Sequence, residues 1–474
     1  MRLTVRGERV AATTGAVFAI VGAVLAASVL RDGGGTVAPS DAATVAASRD
    51  HTPLLDLRRA PELARAAVAG RRLDTALAAA VGDTQSCVIA QIDGRTVGRI
   101  APTSSLAPAS TMKILTAFAV LARRGPDFRF TTTLHGPSID SDGVVAGDVF
   151  LVGGGDPTLA TPRYEEYVRG TPRLAQDPLT LLQAMVDTLV ERGLERIEGA
   201  VVGDGSRYAG PEFLDSWKPN YRSEGQVGPI GALTVNHGFA DFPPPVPVDD
   251  AATYAAGQLT TLLQRAGVEV SGAPRAGVAP TPPPRALATL ESPALRDIVA
   301  GMLTASDNTT AEMLLREAAL AAGAEPTTTA GVDVVIATIR QAGLRVDGAA
   351  PLDGSGLSPD ARLTCATLID TLNRRVPAID RGLADAGESG TLAERFVGTP
   401  LAGVLHAKTG QLAGVVGLAG FLDPVPGRTE IRFAFLAAGE FPSDEGQALQ
   451  QAIVDALARY PDAPPADVLV PAPR

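Results

Sequence analysis

Strand-like segments lie at the two ends of the chain, and this separation constrains the fold more than any other feature. Near the N-terminal end, SCVIAQIDGRTVGRIAP (residues 86–102) alternates apolar and polar residues around an Asp-Gly turn and predicts a hairpin. Three more strand-like stretches follow one another within residues 403–440. The hairpin and these strands can share one antiparallel sheet, with helices between them in the chain, so we predict an α+β fold.

The long segment between these ends divides into two parts. Residues 125–285 combine short strand-like runs, a helical stretch and two proline-rich breaks, whereas helical patterns return after about residue 290. We therefore predict a domain inserted at residues 125–285 into a main domain that is formed by residues 71–124 and 286–474.

The first residues of the chain predict export. Three arginines precede an uncharged apolar run at residues 11–30, and this order keeps the N-terminus in the cytoplasm while the following chain crosses the membrane. The run is long enough to span a bilayer and also contains small residues suited to cleavage, so residues 1–30 are either a membrane anchor or a signal peptide. Residues 31–70 are predicted to form a tether. The rest of the protein is predicted to be extracytoplasmic, either anchored to the membrane or secreted.

The composition argues against nucleic acid and metal partners, and it does not decide whether the two cysteines form a disulfide. The net charge of −11 and the lack of a long basic run argue against nucleic acid. The four histidines show no metal-ligand spacing and two cysteines cannot form a zinc cluster, so we predict no metal and no other cofactor. Cys87 and Cys365 are compatible with one disulfide, which an exported protein permits, or with two buried thiols, which are common.

A hydroxyl and an amine lie one helical turn apart in PASTMKILTA (residues 108–117). Residues three apart share a helix face, so the amine of Lys113 is expected beside the hydroxyl of Ser110. Alone, the pair is compatible with a serine cap followed by a partly buried lysine. The alternative is that neutral Lys113 takes the hydroxyl proton and makes Ser110 a nucleophile, with the Ser110 N–H forming half of an oxyanion hole.

A second motif, Ser306-Asp307-Asn308, lies in a helical stretch. Ser306 can relay a proton to a leaving amine, and Asn308 can hold a substrate amide and contact Lys113. Alone, this motif is equally compatible with a polar helix face.

A third motif, Lys408-Thr409-Gly410, lies in a predicted strand. A second cation at Lys408, together with burial, would lower the pKa of Lys113 as a catalytic base requires. Thr409 with Lys408 suits a substrate carboxylate, and Gly410 lets a substrate backbone lie against the strand. The backbone N–H of Gln411 can complete the oxyanion hole.

Together and in this order, the motifs resemble those of the class C low-molecular-mass penicillin-binding proteins, the D-alanyl-D-alanine carboxypeptidase/endopeptidase family (peptidase family S13). The resemblance covers roughly residues 75–460 and includes LVGGGDPTLA, LDGSGLS and GESGTLAERFVGTPLAGVLHAKTG. It implies the penicillin-binding/β-lactamase-like transpeptidase fold, with a domain inserted between the first two motifs. It also implies a serine DD-peptidase that acts on peptidoglycan stem peptides through Ser110 and is acylated by β-lactam antibiotics.

The chain departs from the family pattern in three places. Ser110 and Ser306 are 196 residues apart, fewer than in members with two nested insertions, so the innermost domain is predicted to be missing. Members that read a diaminopimelate side chain place an acid shortly after a tryptophan. Here Asn220 lies three residues after Trp217, and the acids Asp215 and Glu224 flank this stretch. Trp217 is predicted to bind substrate, with core packing as the alternative. Gln411 replaces the small hydroxyl residue usual at its position.

Two other functions remain as alternatives to the DD-peptidase. A serine β-lactamase of the same fold would need a base that activates water for deacylation, and a non-catalytic cell-wall binding protein would have no need of three intact motifs. Outside the motifs, Asp156 and Asp353 are predicted to close turns, and His406 is predicted to have no catalytic role.

Overall fold

The computed structural model describes residues 60–426, 428–465 and 468, so the predicted anchor or signal peptide at residues 1–30 lies outside the described residues. In the part of the chain that is described, no helix combines the length and apolar character needed to cross a membrane. The first helix begins at Ala60, inside the predicted tether at residues 31–70. The tether prediction is therefore wrong from residue 60 onward, because this alanine-rich stretch is the first part of a helix that packs on the main sheet. Residues 31–59 of the predicted tether lie outside the described residues.

The described residues form eighteen strands and twelve α-helices, which are numbered separately in chain order. The strands are β1 (Gln85–Ile92), β2 (Arg95–Ile100), β3 (Thr131–His135), β4 (Val144–Val145), β5 (Val149–Val152), β6 (Leu159–Ala160), β7 (Thr180–Leu181), β8 (Arg196–Ile197), β9 (Val201–Asp204), β10 (Phe239–Asp241), β11 (Val246–Pro247), β12 (Glu269–Val270), β13 (Arg275–Ala276), β14 (Ala286–Glu291), β15 (Ala384–Asp385), β16 (Leu405–Leu412), β17 (Val415–Leu422) and β18 (Ile431–Ala438).

The helices are α1 (Ala60–Val81), α2 (Lys113–Arg124), α3 (Pro162–Gly170), α4 (Gln183–Glu191), α5 (Asn220–Ser223), α6 (Ala251–Arg265), α7 (Leu295–Ala305), α8 (Asn308–Ala321), α9 (Thr328–Gln341), α10 (Cys365–Leu372), α11 (Pro377–Gly382) and α12 (Ser443–Ala458). Three 3-10 turns accompany them, at Ala109–Met112, Asn236–Gly238 and Gly390–Leu392.

Six strands form one antiparallel sheet in the order β15-β16-β17-β18-β1-β2. The N-terminal hairpin joins the C-terminal strands through β1 and β18, where Cys87 lies opposite Leu436. At the hairpin turn, Asp93 and Gly94 both have positive φ (47° and 76°), as a tight two-residue connection requires. The predicted α+β fold, with strands from both ends of the chain in one antiparallel sheet, is confirmed.

Helices cover both faces of this sheet. Almost every residue of β17 and β18 is therefore buried, and not only every second residue. Along β18, Phe433 and Phe435 face the core formed with α1 and α12, whereas Ala434 and Leu436 face the core formed with α2 and α10. Helix α2 also packs against α8 and α9. Lys113, the first residue of α2, is therefore enclosed by neighbouring elements.

The segment between the first two motifs has its own sheets. Five strands form a mixed sheet in the order β13-β9-β5-β3-β14, and smaller sheets are formed by β12-β8-β4, β10-β11 and β6-β7. Strand β14 (Ala286–Glu291) was predicted to belong to the main domain, but it pairs antiparallel with β3. Because its partner lies far back in the chain, the local pattern could not show which sheet it joins. We refer to residues 125–291 below as the inserted segment.

A disulfide joins Cys87 on β1 to Cys365 at the start of α10. Both cysteines are fully buried in the core between the sheet and α2. The sequence was compatible with either a disulfide or two buried thiols. In the structure α10 packs directly over β1, which brings the two cysteines together as a disulfide.

Candidate active site

Ser110 lies in the 3-10 turn Ala109–Met112, which runs without a break into α2. Ala109 has a φ of 45°, an uncommon conformation for a residue with a side chain. The turn packs against the loop that contains Gly356, so closely that a Cβ on this glycine would clash with the carbonyl O of Ala109. The neighbouring backbone thus encloses the turn and holds Ser110 in place, with its hydroxyl in the wall of a cleft.

Lys113 is fully buried, and its Nζ contacts three oxygen atoms: Ser110 Oγ at 2.8 Å, Asn308 Oδ1 at 2.6 Å and the carbonyl O of Ser355 at 2.8 Å. Asn308 Nδ2 donates to the carbonyl O of Gln226 at 2.7 Å, which is consistent with this orientation of the amide. The amide and carbonyl oxygens can only accept hydrogen bonds. A neutral amine has two N–H groups and one lone pair, so these two acceptors leave its lone pair for the Ser110 hydroxyl.

Burial lowers the pKa of Lys113 to about 8, with a smaller contribution from the charge of Arg173. Three nearby carboxylates oppose this shift, those of Asp307, Glu312 and Asp353. Lys408, the second cation that the sequence predicts near Lys113, is affected by the same surroundings. The pKa of Lys408 is itself held well below its usual range by burial and by Lys113.

The second motif lies at a junction of two helices rather than inside one. Ser306 follows the last residue of α7 and has a φ of 62°, so the chain changes direction there. Asp307 then caps α8, because its Oδ1 accepts a hydrogen bond from Thr310 N at 2.6 Å. Asn308 is therefore the first residue of α8, and its side chain reaches Lys113.

The third motif lies on β16. Lys408 is fully buried, and its Nζ donates to Ser306 Oγ at 2.8 Å and to the carbonyl O of Thr409 at 3.0 Å. Gly410 is buried against the nucleophile turn, where a Cβ would lie 2.8 Å from Pro108 O. Gly410 is therefore needed for the close approach of β16 to this turn. This role differs from the predicted one, in which Gly410 makes room for the substrate backbone.

All three motifs meet at one cleft of about 1040 Å³. The main domain contributes five of the predicted site residues to its wall: Ser110, Ser306, Asn308, Thr409 and Gln411. The inserted segment contributes another part of the wall, which includes Arg173, Lys218, Asn220, Tyr221, Glu224 and Gln226. Lys113 and Lys408 lie behind this surface, each within hydrogen-bond distance of a serine that lines the cleft.

Trp217 does not line the cleft, which corrects its prediction as a substrate-binding residue. Its side chain is buried in a cluster with Tyr221 and Met313. Its indole N–H donates to Asp353 Oδ2 at 2.9 Å, so both the apolar ring and the polar N–H are satisfied in the interior. The alternative of core packing therefore holds.

Two aspartates close turns as predicted. Asp353 Oδ1 accepts from Gly356 N at 2.7 Å, and Asp156 Oδ1 accepts from Thr158 N at 2.8 Å. His406 lies two residues before Lys408 on β16, but its ring nitrogens contact two aspartates near the edge of the sheet, Asp385 and Asp423.

Several groups that complete the site are not predicted from the sequence. The carbonyl groups of Ser355 and Gln226 carry no side-chain signal, so only the fold could reveal them. Glu312 on α8 accepts hydrogen bonds from the backbone N–H groups of Gly354 and Ser355, which holds the Ser355 carbonyl in place. Arg173 and His237 reach the second motif from the inserted segment, at distances along the chain that no local pattern connects.

A family model described as the D-Ala-D-Ala carboxypeptidase 3 (S13) family matches residues 80–244 and 239–460. A carboxypeptidase of Mycobacterium tuberculosis is 35% identical over 353 residues, which are 70% of this chain and 71% of that protein. The carboxypeptidase DacB of Mycolicibacterium smegmatis is 31% identical over 477 residues, which are 94% of each chain.

The crystal structure of penicillin-binding protein 4 from Haemophilus influenzae superposes on this chain with a TM-score of 0.67 at 21% identity. The match covers 81% of this chain and 99% of that one, which confirms the predicted penicillin-binding/β-lactamase-like fold. The family model extends from β1 to α12 and so includes the main sheet, the inserted segment and all three motifs. The chain therefore belongs to the S13 family of D-Ala-D-Ala carboxypeptidases.

Proposed function

We propose that Ser110 is the nucleophile of a serine DD-peptidase, which removes terminal D-Ala from peptidoglycan stem peptides or cleaves their cross-links. Family membership supports the reaction class, and the three contacts of Lys113 Nζ support the choice of nucleophile and base. Ser110 Oγ attacks the carbonyl carbon of the penultimate D-Ala while its proton passes to neutral Lys113. The backbone N–H groups of Ser110 and Gln411 stabilise the negative charge that forms on the carbonyl oxygen.

Ser306 and Lys408 are proposed to supply the proton that the leaving group needs. Ser306 lines the cleft, and Lys408 Nζ lies 2.8 Å from its hydroxyl. As the peptide bond breaks, Ser306 donates its proton to the leaving amine, and Lys408 replaces that proton. Lys113 then passes the proton it took from Ser110 to Lys408, directly or through solvent, so that both amines return to their starting states. Water attacks the ester on Ser110 and gives its proton to neutral Lys113, and this proton returns to Ser110 Oγ as the shortened peptide leaves.

Substrate binding is assigned to the polar groups of the cleft wall. We propose that the Thr409 hydroxyl binds the carboxylate at the C-terminus of the peptide, since it lines the cleft beside the catalytic serines. Asn308 is proposed to hold the substrate amide while it positions Lys113. A β-lactam presents a carbonyl and a carboxylate in a similar arrangement, so it is expected to acylate Ser110.

The enzyme acts outside the cytoplasm, where its peptidoglycan substrate lies. We propose that residues 11–30 take the chain across the membrane and either remain as an anchor or are cleaved. Protease added to intact cells should digest the chain beyond residue 31, and N-terminal sequencing of the mature protein should show which of the two fates applies. Protection of the whole chain from external protease would contradict this location.

The intact mass after incubation with benzylpenicillin tests the proposed nucleophile. We expect a stable mass increase of one penicillin, located at Ser110 by peptide mapping. Ser110→Ala should abolish the adduct, whereas Ser104→Ala, a change in a nearby serine outside the motifs, should retain it. An adduct at another residue would contradict the proposal. A short-lived adduct with continuous hydrolysis of penicillin would favour the β-lactamase, and an absence of both acylation and D-Ala release would favour a binding protein.

A further inference from the structure

The inserted segment contacts the second motif at successive residues. The guanidinium of Arg173 donates to the carbonyl O of Ala305, immediately before Ser306. The backbone N–H of Gly228 donates to Thr309 Oγ1 at 2.9 Å, immediately after Asn308. The inserted segment thus holds the chain on both sides of the motif.

Between these two contacts, a histidine of the inserted segment contacts the aspartate of the motif, and the reaction scheme does not use this contact. His237 Nδ1 lies 2.9 Å from Asp307 Oδ2, while Oδ1 of the same carboxylate caps α8. His237 is buried in the 3-10 turn Asn236–Gly238, and its ring stacks obliquely on Tyr164. It has a φ of 54°, a conformation in the left-handed region. His237 does not line the cleft, and its contact with the motif is through Asp307.

We propose that His237 is a positioning residue of the inserted segment, which fixes Asp307 at the start of α8 and balances its charge beside Lys113. This proposal rests on the proposed role of Lys113 as the base. Fixing Asp307 fixes the first turn of α8, and with it the contact of Asn308 Oδ1 with Lys113 Nζ. Balancing the carboxylate weakens its attraction for the Lys113 ammonium, so the neutral amine forms more readily.

The charged groups around both residues determine the direction of the effect. The ring of His237 faces three carboxylates on different elements, those of Asp307, Asp177 and Asp156. Burial opposes protonation of the ring, but these carboxylates raise the pKa of His237 overall. Lys113 faces Asp307, Glu312 and Asp353, and it faces the cations Arg173 and Lys408. Loss of the His237 charge therefore leaves Asp307 uncompensated and favours the ammonium form of Lys113.

The test is the acylation rate of the full-length protein with benzylpenicillin as a function of pH. In His237→Asn, the amide can retain an N–H donor and tolerates positive φ, but the charge is lost. We expect the midpoint of the acidic limb to move up by about half a unit to one unit, which slows acylation at pH 7 about threefold to tenfold. His135→Asn in the same segment is the matched control, because His135 contacts Pro284 O and not the motif, and its profile should match the wild type.

Asp307→Asn supplies the opposite change. Asparagine also caps helices well, so α8 is retained while the negative charge near Lys113 is removed. The acidic limb should then move to lower pH. Limbs that move in opposite directions support the proposal, because a purely structural defect would slow acylation without this pattern. The proposal would be overturned if the pH profile of either variant superimposed on that of the wild type. It would also be overturned if the acidic limbs of both variants moved in the same direction. Acylation that persists in Lys113→Met would instead overturn the role of Lys113 as base, so the two failures are distinguishable.

Discussion

Lys113 Nζ and Asn308 Oδ1 lie 2.6 Å apart although 195 positions separate the two residues along the chain. This contact joins the first residue of α2 to the first residue of α8, and the two helices pack against each other in the core. The amine is therefore held where water is excluded, and burial lowers its pKa. A lysine at the surface would remain charged near neutral pH and could not take a proton from serine.

The acylation rate should increase with pH and reach a plateau above about 8, the pKa of Lys113. Lys113 must be neutral to accept the Ser110 proton, so below this pH the rate should fall about tenfold per unit. The measurement is the second-order rate constant with benzylpenicillin between about pH 5.5 and pH 9.5. A flat profile across pH 6 to 9 would contradict the assignment of Lys113 as base.

Lys113→Arg should lose acylation by a factor of about 10² to 10⁴, because guanidinium does not release its proton in this range. The variant is measured by penicillin adduct formation under the conditions used for the wild type. Retained acylation would move the role of base to Ser306 or to a bound water.

Lys408→Arg provides a separate test of the second amine. If only the positive charge of Lys408 matters, this variant should keep substantial activity. Lys408 is fully buried against Ser306 and Thr409, so the larger guanidinium should disturb the packing. We expect acylation about tenfold or more below the wild type, with the midpoint of the pH profile as a second readout. Unchanged acylation would show that β16 adapts to the larger group.

Removal of the Cys87–Cys365 disulfide should destabilise the protein by about 2–5 kcal/mol. The bond links residues that are 278 positions apart, so it restricts a long loop of the unfolded chain. The double variant Cys87→Ala/Cys365→Ala is compared with the wild type by urea unfolding. Unfolding the wild type with and without reductant is the control, and equal stability under both conditions, with the thiols shown to be reduced, would contradict the prediction.

Gly356→Ala should destabilise the protein by more than about 3 kcal/mol. Its φ is 83°, and a Cβ there would clash with the carbonyl O of Ala109 in the nucleophile turn. Gly94→Ala is a matched control, since Gly94 also has a positive φ (76°) but nothing lies within 4 Å of the added atom. The control should lose only about 1 kcal/mol. Equal losses in urea unfolding would show that conformation, and not the close contact, determines the cost.

Glu317→Gln should destabilise the contact between the inserted segment and the main domain by about 3–5 kcal/mol. The carboxylate of Glu317 on α8 is fully buried and contacts Arg124 on α2 and Arg207 in the inserted segment, both at 2.7 Å. The exposed pair Arg163–Asp241 is the comparison, and Asp241→Asn should cost less than about 1 kcal/mol. Chemical unfolding measures both, and a loss of under about 1 kcal/mol in Glu317→Gln would refute the prediction.

Features that depend on neighbouring residues could be predicted from the sequence. The alternation around Asp93-Gly94 specified the hairpin, and the three apolar stretches after residue 403 specified the strands that join it. The motif serines and lysines could be recognised because their chemistry needs particular residue types at short spacings. The structure places Ser110 in the wall of one cleft, with Lys113 and Lys408 buried directly behind that wall. Local sequence contains this information because side-chain direction follows the period of the element.

Features that depend on distant parts of the chain were decided only by the tertiary structure. Trp217 and the cysteine pair could each be interpreted in two ways, because the same residue types serve in a core or a cleft, and as thiols or a disulfide. Packing of α10 over β1 and the hydrogen bond of the Trp217 indole to Asp353 settled both. The contact of His237 with Asp307 likewise bridges 70 positions. Burial and charge around Lys113 come from segments that meet only on folding, so its lowered pKa is a property of the fold rather than of the motif.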